Sequence, residues 1–416
     1  MASLAAAATS DTRVPVTILT GFLGSGKTTL LNHILTAQHG KRIAIIENEF
    51  GDVGIDDALL QKNMKERSED EVIEMLNGCI CCTVRDDLIQ VFKKFAERIK
   101  SGLKLDAVII ETTGMADPAP VAQTLFVDEM TREYFKLDGI VTMVDAKHIE
   151  QHLDDEKPEG AENEAVEQVA FADRLIINKI DLVPAEEDLV RVEARLRGIN
   201  TFAPIVRTER SKVGVEQVMN INAFDLQKTL VRDSEFLDLD AEHVHDETIS
   251  SLGINIPESV DFGTFQDFLQ KLLRDKGTDL YRIKGVISVE GSKERFVYQA
   301  VHMIFQGDFA EPWGESEPRG CKLTFIGKNL PKAELEAGFM DCLATEEANE
   351  KRAKLLRFRI GDVVECQTGS WSKGKVVAIF YREPGMDVTA PYQVQLDDGG
   401  LIFAPADVPE LIRAPK

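Results

Sequence analysis

The chain has 416 residues, of which 44% are hydrophobic and 29% are charged, enough material for two or three globular domains. Acidic residues outnumber basic ones 71 to 48, and the formal net charge of −23 would repel nucleic acid and anionic lipid. No apolar run approaches the roughly 18 residues that a membrane-spanning helix needs. These features exclude nucleic acid and membranes as expected partners, and the six cysteines do not resemble a disulfide framework, which favours a reducing compartment.

The start of the chain carries little structural information. The stretch Met1–Ala8 is rich in alanine and lacks both the basic start and the long apolar segment of a secretory signal. We predict a disordered lead over residues 1–13 and a cytoplasmic location for the protein. Import into an organelle stays open, although Met1–Ala8 is short and free of arginine for a transit peptide.

Residues 14–232 alternate between short apolar runs and segments with helical spacing. The runs are rich in β-branched residues, and they cover residues 16–19, 43–46, 107–110, 139–144 and 174–177. Short runs separated by helices indicate a mostly parallel sheet that is covered on both faces. The predicted fold class is therefore α/β, with the carboxyl ends of the strands gathered at one edge where side chains can face a ligand.

A glycine-rich motif follows the first apolar run. The segment Gly21–Thr28 has the G-x-x-x-x-G-K-[ST] spacing, between a strand and a helix, that a phosphate-binding loop requires. Backbone N–H groups would hold the phosphates, Lys27 would neutralise their charge in catalysis, and the Thr28 hydroxyl would bind Mg²⁺. The predicted nucleotide-binding residues of this loop are Gly21, Gly24, Ser25, Gly26, Lys27, Thr28 and Thr29.

Two acidic loops follow further apolar runs. Glu111 is predicted to organise Mg²⁺, and Gly114 to sense the γ-phosphate through its backbone N–H; a carboxylate that caps the next helix is the alternative. The loop from Glu47 to Asp52 concentrates carboxylates and predicts a switch that orders around Mg²⁺ and the γ-phosphate. A solvated acidic loop is the alternative there. We assign Glu111 and Asp52, with Lys27, to catalysis.

Three thiols lie within four residues, at Cys79, Cys81 and Cys82. They precede a predicted helix, and thiols at a helix N-terminus have lowered pKa values, so thiolates can bind metal near neutral pH. Two or three such ligands suit Zn²⁺ and leave one position for a carboxylate, a histidine or water. Three buried apolar side chains, or a redox pair formed by Cys79 and Cys82, are the alternatives.

The tetrapeptide Asn178–Asp181 directly follows another apolar run. The carboxylate of Asp181 can accept hydrogen bonds from both the ring N–H and the exocyclic amine of guanine, whereas adenine presents no such pair of donors. Because the same domain carries a phosphate loop, Asn178, Lys179 and Asp181 predict that the nucleotide is GTP.

Histidines outside these motifs are weak candidates for metal binding. Residues 233–262 are acidic and predict a linker, in which His243 and His245 could collect metal with low affinity. On a solvated acidic linker, two histidines more often have no such role. His148 and His152 are four residues apart and could both bind one metal ion if that stretch is helical.

The remaining residues predict two smaller modules. Residues 263–345 combine apolar positions at helical spacing with strand-like runs, which predicts a small α+β domain, and residues 346–357 predict a polar connector. Alternating strands joined by Asp-Gly turns over residues 358–416 predict a small antiparallel barrel that binds a protein partner. The aromatic residues of this barrel are predicted to pack in its core more often than to line a ligand groove; they are Trp371, Tyr381 and Tyr392.

The motifs, taken in order, resemble the CobW-type GTPases, a family that includes cobalamin-pathway proteins, nitrile hydratase activators and zinc-regulated GTPase metalloprotein activators. The likeness covers roughly residues 14–343 and rests on five segments: Thr20–Leu30, Glu47–Asp52, Gly78–Cys82, Glu111–Pro118 and Asn178–Asp181. It implies a phosphate-loop GTPase followed by a CobW C-terminal-type domain. It also implies a metallochaperone that binds zinc or cobalt at the C-x-C-C motif in the GTP state, with Glu47 and Asp52 near the metal, and delivers the metal on hydrolysis.

These expectations combine into one hypothesis and two rivals. The hypothesis is a Mg²⁺-dependent GTPase that loads Zn²⁺, or alternatively Co²⁺, on its thiol cluster and transfers it to a metalloprotein client. The expected partners also include a second copy of the chain and a protein ligand of the terminal barrel. The rivals are a cobalt chaperone of a cobalamin-type pathway and a regulatory GTPase scaffold whose cysteines are structural.

Overall fold

The computed structural model describes residues 11–37, 39–47, 75–77, 84–114, 116–155, 157, 163–224, 249–302, 304–314, 317–382 and 389–415. These residues divide into two compact units, the first built largely from residues before 252 and the second largely from residues after it. No helix in the described ranges combines the length and the apolar character needed to cross a membrane.

A seven-stranded sheet forms the centre of the first unit. Its strands are β1 Val14–Thr20, β2 Ile43–Glu47, β3 Met75–Asn77, β4 Ala107–Glu111, β5 Phe135–Asp145, β6 Arg174–Asn178 and β7 Ile205–Arg207. Every neighbouring pair is parallel, and the strand order is β3-β2-β4-β1-β5-β6-β7. The predicted α/β class with a mostly parallel sheet is confirmed.

Seven helices connect or flank these strands in the described part of the first unit. They are α1 Lys27–Thr36, α2 Val84–Lys100, α3 Ala119–Val127, α4 Glu129–Tyr134, α5 Ile149–Leu153, α6 Glu164–Phe171 and α7 Glu186–Ile199. Asp128 and Asn163 cap α4 and α6, because their side chains accept hydrogen bonds from backbone N–H groups of the first turn. Leu30, Leu31 and Ile34 of α1 pack against buried residues of the sheet, and this burial of apolar surface stabilises the helix on the sheet.

Strand β1 lies between β4 and β5, at the point where the order of connections reverses. In open parallel sheets a crevice forms outside the carboxyl ends of the strands at this point, and ligands bind there. The turn that follows β1 is the glycine-rich motif, which leads directly into α1. The fold therefore places that motif at the position where a ligand is expected.

The second unit contains a five-stranded sheet of order β11-β10-β9-β12-β8. Its strands are β8 Ile249–Ile256, β9 Leu280–Ser288, β10 Glu294–Val301, β11 Ile304–Pro312 and β12 Cys321–Lys328, and the helices that follow or connect them are α8 Phe262–Lys276, α9 Lys332–Met340 and α10 Glu346–Leu355. Phe265 of α8 is fully buried and packs edge-to-face on Phe296 and Phe339. The predicted small α+β domain is confirmed.

One boundary differs from the prediction. Residues 249–256, expected to belong to the acidic linker, form β8. Ile249, Leu252 and Ile254 of this strand are buried, so its apolar side chains pack in a core. The linker prediction rested on the average composition of the whole segment. The acidic residues before the strand dominate that average, so the apolar positions of the strand were not recognised.

An antiparallel sheet ends the chain. Its strands are β13 Val363–Gln367, β14 Trp371–Tyr381, β15 Ala390–Leu396, β16 Leu401–Ala404 and β17 Ile412–Arg413, in the order β16-β15-β14-β13-β17. Tyr392 is buried in the core of this sheet with Val364 and Val394, and its hydroxyl accepts a hydrogen bond from the Phe358 backbone N–H. The predicted antiparallel module is confirmed. Tyr392 packs in the core as predicted, whereas Trp371 and Tyr381 are only partly buried and lie outside the core cluster.

Candidate nucleotide and metal site

The glycine-rich motif forms a tight loop between β1 and α1. Gly26 is the N-cap of α1 and has a φ of 107°, in the left-handed region that favours glycine. A Cβ at this position would lie 2.3 Å from Asn178 Nδ2, so a larger residue could not sit there without displacing Asn178. The loop thus keeps its backbone N–H groups available at the start of α1, as a phosphate site requires.

Lys27 folds back over this loop. Its Nζ donates to the carbonyl oxygen of Gly21 at 2.7 Å, and the side chain is buried. Burial lowers the pKa of Lys27 from its usual value, against an opposing contribution from the negative charge of Glu111. A desolvated ammonium held at the mouth of the loop is suited to pair with phosphate oxygens, since it gains a strong partner when the nucleotide binds.

The predicted magnesium ligands Thr28 and Glu111 lie together. The Thr28 hydroxyl is 3.4 Å from Glu111 Oε1, across the gap between α1 and β4. A hydroxyl and a carboxylate at the end of a phosphate loop are oxygen ligands of the kind that Mg²⁺ prefers. The residues present therefore fit the ion that the prediction assigned to them.

Gly114 lies against the phosphate loop. A Cβ on Gly114 would be 2.6 Å from the backbone N of Leu23, so the two backbone segments are in direct contact. At the start of this connection, the Thr112 hydroxyl donates to the Thr20 hydroxyl at 2.9 Å, which joins the ends of β4 and β1. The predicted γ-phosphate-sensing segment is thus held next to the predicted phosphate loop.

Asn178 links the predicted base-reading loop to the phosphate loop. Its Nδ2 donates to the Ser25 carbonyl oxygen at 2.9 Å and to the Ser211 hydroxyl at 3.0 Å, while its Oδ1 accepts from the Ser211 backbone N–H. The Ser211 hydroxyl donates in turn to the carbonyl oxygen of Gly26 at 3.0 Å. Ser211 was missed by the sequence analysis, because a lone serine after a short strand carries no spacing signal.

Lys179 has a left-handed backbone, with a φ of 63°, and its Nζ donates to Asp145 Oδ2 at 2.7 Å. The Nδ1 atom of His148 is 3.0 Å from the same oxygen. Burial would raise the pKa of Asp145, but the hydrogen bonds from Lys179 and His148 outweigh it and hold the pKa below its usual value. Asp145, at the end of β5, is therefore an ionised anchor for Lys179 that the sequence analysis did not predict.

The remaining predicted nucleotide contacts are open to solvent. Asp181 lies in a short 3₁₀ turn, Ile180–Leu182, and its side chain is exposed. Thr29, on the first turn of α1, is exposed as well. An exposed carboxylate next to Lys179 is free to meet an incoming base.

The backbone register brings three predicted elements into one row. Glu47 of β2 pairs with Glu111 of β4 on one side and with Asn77 of β3 on the other. Neighbouring strands in a sheet lie about 4.8 Å apart. The end of the strand that precedes the thiol cluster therefore lies two strands from Glu111, at the same carboxyl edge.

Several predicted metal residues lie outside the described residues: Asp52, Cys79, Cys81, Cys82, His243 and His245. Within the described ranges, no group of three His, Cys, Asp or Glu side chains is arranged to hold a metal ion. His148 contacts Asp145. His152 instead stacks on Phe22 of the phosphate loop, with ring centroids 3.8 Å apart, so these two histidines do not form a pair of ligands.

Comparison with known proteins follows the same division of the chain. Residues 15–207 match the family model of the CobW/HypB/UreG nucleotide-binding domain, and residues 249–343 match the cobalamin synthesis protein cobW C-terminal domain. The zinc chaperone YjiA of Escherichia coli is 34% identical over 327 residues, which cover 78% of this chain and 98% of that protein. The chain belongs to the CobW family.

Other relatives extend this result. The zinc chaperone CobW of Pseudomonas aeruginosa is 34% identical over 80% of this CobW-family chain and 92% of its own length. The zinc-regulated GTPase metalloprotein activator 1 of Schizosaccharomyces pombe is 34% identical over 76% and 83%. The crystal structure of Zn(II)-bound YjiA GTPase from E. coli matches with a TM-score of 0.62 and 29% identity, over 79% of this chain and 99% of YjiA.

The family assignment confirms two predictions from sequence. This CobW-family chain is a GTPase with a phosphate-loop nucleotide-binding domain, and its second unit contains the CobW C-terminal-type domain. The matches to the two family domains end at residue 343, so the terminal antiparallel sheet lies beyond both of them.

Proposed function

We propose that this protein is a GTP-dependent zinc chaperone. Zn²⁺ would bind at Cys79, Cys81 and Cys82 in the GTP state and pass to a metalloprotein client after hydrolysis. The observation that carries the proposal is the register of β3, β2 and β4, in which Asn77, Glu47 and Glu111 are neighbours at one sheet edge. Gly78 and the thiol cluster follow Asn77 directly in sequence.

The residues of the crevice would bind the nucleotide and its Mg²⁺. Lys27 would leave the Gly21 carbonyl to pair with phosphate oxygens, and Asp181 would accept hydrogen bonds from the guanine edge, with Lys179 beside it. Thr28 and Glu111 would hold Mg²⁺, which supplies charge neutralisation at the β- and γ-phosphates. Asp52 and the Gly114 backbone would face the γ-phosphate and the attacking water.

The coupling between nucleotide and zinc would run through Glu47. This residue ends the strand between Glu111, on the magnesium side, and Asn77, on the thiol side. A loop that orders around the γ-phosphate would carry Glu47 and Asp52 toward the metal, and its relaxation after hydrolysis would remove those oxygen ligands. An ion bound by only two or three thiolates is then easier to release.

Zinc is preferred as the cargo over cobalt. Thiolates accept both ions, and affinity alone does not identify the metal that a cell supplies. Two of the relatives at 34% identity are named zinc chaperones and others are named zinc-regulated activators, which supports Zn²⁺ for this chain. The client, a second copy of the chain and a protein ligand of the terminal sheet are the proposed partners, in the cytoplasm.

The decisive experiment measures zinc affinity in two nucleotide states. Competition with a chelator of known affinity is carried out on the full chain with Mg²⁺ and either a non-hydrolysable GTP analogue or GDP. We expect tighter zinc binding with the GTP analogue by at least about tenfold, which corresponds to a coupling free energy of about 1.4 kcal/mol. Equal affinities in the two states would refute the chaperone mechanism.

A pair of variants tests the site itself. The double substitution C81S/C82S should abolish nucleotide-dependent zinc binding, whereas C366A, which removes a buried thiol of the terminal sheet, should not. If C81S/C82S retained its zinc and its GTP turnover, the cysteines would be structural, and a regulatory GTPase scaffold would describe the protein better.

A further inference from the structure

The helix α6 carries two buried polar side chains, Glu167 and Gln168, and no predicted motif includes either of them. Gln168 is 1% exposed, and its Nε2 donates to the carbonyl oxygens of Gly114 at 3.1 Å and of Ala116 at 3.3 Å. Its neighbours on α6 are mostly apolar and buried: Ala165, Val166, Val169, Ala170 and Phe171. An amide in such surroundings is stable only because both of its N–H groups find acceptors.

The base of this side chain is fixed. The Thr142 hydroxyl of β5 donates to the backbone carbonyl oxygen of Gln168 at 2.7 Å, and Thr142 is itself buried. Asn163 caps the first turn of α6 and donates to the carbonyl oxygens of His152 and Leu153. The amide therefore reaches the Gly114 segment from a rigid element rather than from a loop.

The Gly114 segment is consequently held by two contacts. The backbone of Leu23, in the phosphate loop, lies so close that a Cβ on Gly114 would be 2.8 Å from Leu23 Cα. The Gln168 amide holds the carbonyls of Gly114 and Ala116. A backbone N–H that must meet a γ-phosphate has to be aimed before the nucleotide arrives, and fixing the adjacent carbonyls does this.

We propose that Gln168 is a positioning residue for GTP hydrolysis, acting through the Gly114 backbone. The proposal rests on the role assigned to Gly114 under the proposed function. Gln168 does not touch the nucleotide site directly, and its effect is on the chemical step rather than on ground-state binding. Removal of both donors leaves the Gly114 peptide free to turn, so the transition state loses a preorganised contact that GDP never uses.

The test compares Gln168→Leu with Thr17→Val in the full chain. Thr17 also loses a buried hydrogen bond in this substitution, from its hydroxyl to Asp138 Oδ2 at 3.1 Å, but it lies in the middle of β1. With Mg²⁺ and no zinc, we expect Q168L to lower kcat about tenfold while the affinity for GDP stays within about twofold. T17V should keep the wild-type kcat, and a Q168L kcat equal to that of wild type would overturn the proposal.

A second variant, Gln168→Glu, tests the proposal even if Q168L does not fold. In Gln168→Glu, a neutral carboxylic acid keeps one O–H donor for the Gly114 segment, whereas the carboxylate has none. Burial among apolar residues should raise the pKa of this introduced group. We expect the kcat of Q168E, relative to wild type, to rise as the pH falls from about 8 to about 6, and a constant ratio would count against positioning.

The two proposals fail separately. The kcat measurement needs no zinc, so equal zinc affinities in the GTP and GDP states would refute the chaperone mechanism and leave the role of Gln168 intact. Conversely, a Q168L variant with wild-type kcat would remove the positioning role only.

Discussion

The side-chain amide of Asn178 lies 2.9 Å from the carbonyl oxygen of Ser25, so the predicted base-reading loop and the phosphate loop form one hydrogen-bonded unit. Ser211 completes the unit through its bonds to Asn178 and to Gly26. A substitution at either end of the nucleotide site should therefore alter the geometry of the other end, because these buried polar contacts connect the two loops.

Substitution of Asn178 should weaken both the fold and GTP binding. N178A leaves the Ser25 carbonyl without its donor and the Ser211 backbone N–H without its acceptor, which costs about 1–3 kcal/mol for a buried group. We expect a lower melting temperature and at least a tenfold loss of GTP affinity, measured by thermal unfolding and by titration with a fluorescent GTP analogue.

Asn200 provides the control, because it is also buried and bonds the carbonyls at the end of α6. N200A should lower the melting temperature but keep the affinity; equal affinity losses in both variants would contradict a specific role for Asn178.

Lys27 should lower the stability of the nucleotide-free protein. Nucleotide binding should restore that stability. Because burial disfavours its charged form, K27M should unfold at the wild-type temperature or above it in the absence of nucleotide. GTP with Mg²⁺ should then raise the melting temperature of wild type but not that of K27M. The control is K93M, which removes a partly exposed lysine paired with Asp128 at 3.1 Å and should keep the full GTP effect. A K27M variant that GTP still stabilised would show that the ammonium does not bind phosphate.

Gly114 should tolerate no side chain. In G114A the new Cβ would meet the backbone of Leu23 at 2.6 Å, and neither segment can move without disturbing the phosphate loop. We expect hydrolysis to fall by more than tenfold in steady-state phosphate release. Gly314 offers a matched control, since a Cβ there would meet its nearest neighbour at 3.4 Å, an ordinary contact. G314A should therefore hydrolyse GTP at the wild-type rate, and normal turnover by G114A would mean that the two backbones are not in contact.

Asp145 should make the stability of the folded protein depend on pH in a defined direction. Its pKa is held below the usual value, so its ion pair with Lys179 contributes stability that is complete above the pKa of the unfolded state, about 4, and is lost as the pH falls through the lower folded value. The stability difference between wild type and D145N should therefore be constant from about pH 7 to about pH 5 and shrink below about pH 4. Chemical denaturation at a series of pH values measures it.

Asp138 serves as a control, because its pKa is shifted in the opposite direction. Burial raises the pKa of Asp138, although the backbone N–H groups of Asn222 and Ile221 donate to it. Its contribution to stability is consequently larger at low pH, and the difference between wild type and D138N should grow as the pH falls. Parallel trends in D145N and D138N would show that the general acid response of the fold, not the Lys179 ion pair, sets the dependence.

Much of the fold and of the nucleotide site follows from sequence because local patterns determine them. The β-branched runs predict the parallel strands, and the spacing from Gly21 to Thr28 predicts the loop at the end of β1. The approach of Thr28 to Glu111 was predicted from a general rule, that the carboxyl ends of parallel strands share one edge. Such features depend on neighbours in sequence or on properties common to all sheets of this type.

The features that were missed depend on contacts between distant residues. Ser211, Asp145 and Gln168 are single polar residues, and no spacing in the sequence indicates their roles. Their contacts with Asn178, Gly26, Lys179 and Gly114 span between 33 and 185 residues. For β8, the burial of Ile249, Leu252 and Ile254 decides the structure, and burial is set by tertiary packing.

The strand that leads to the thiol cluster is short and lies at an edge of the first sheet. As the structure describes it, β3 has three residues, stands at the end of the strand order and pairs with β2. Among the described residues this edge strand pairs with a single neighbour, and such a strand opens at a lower free-energy cost than a central one. The five-residue pairing of β2 with β4 would survive that opening. Under the proposed function, β3 would therefore loosen next to the thiols while the nucleotide crevice stays folded, as release of zinc would require.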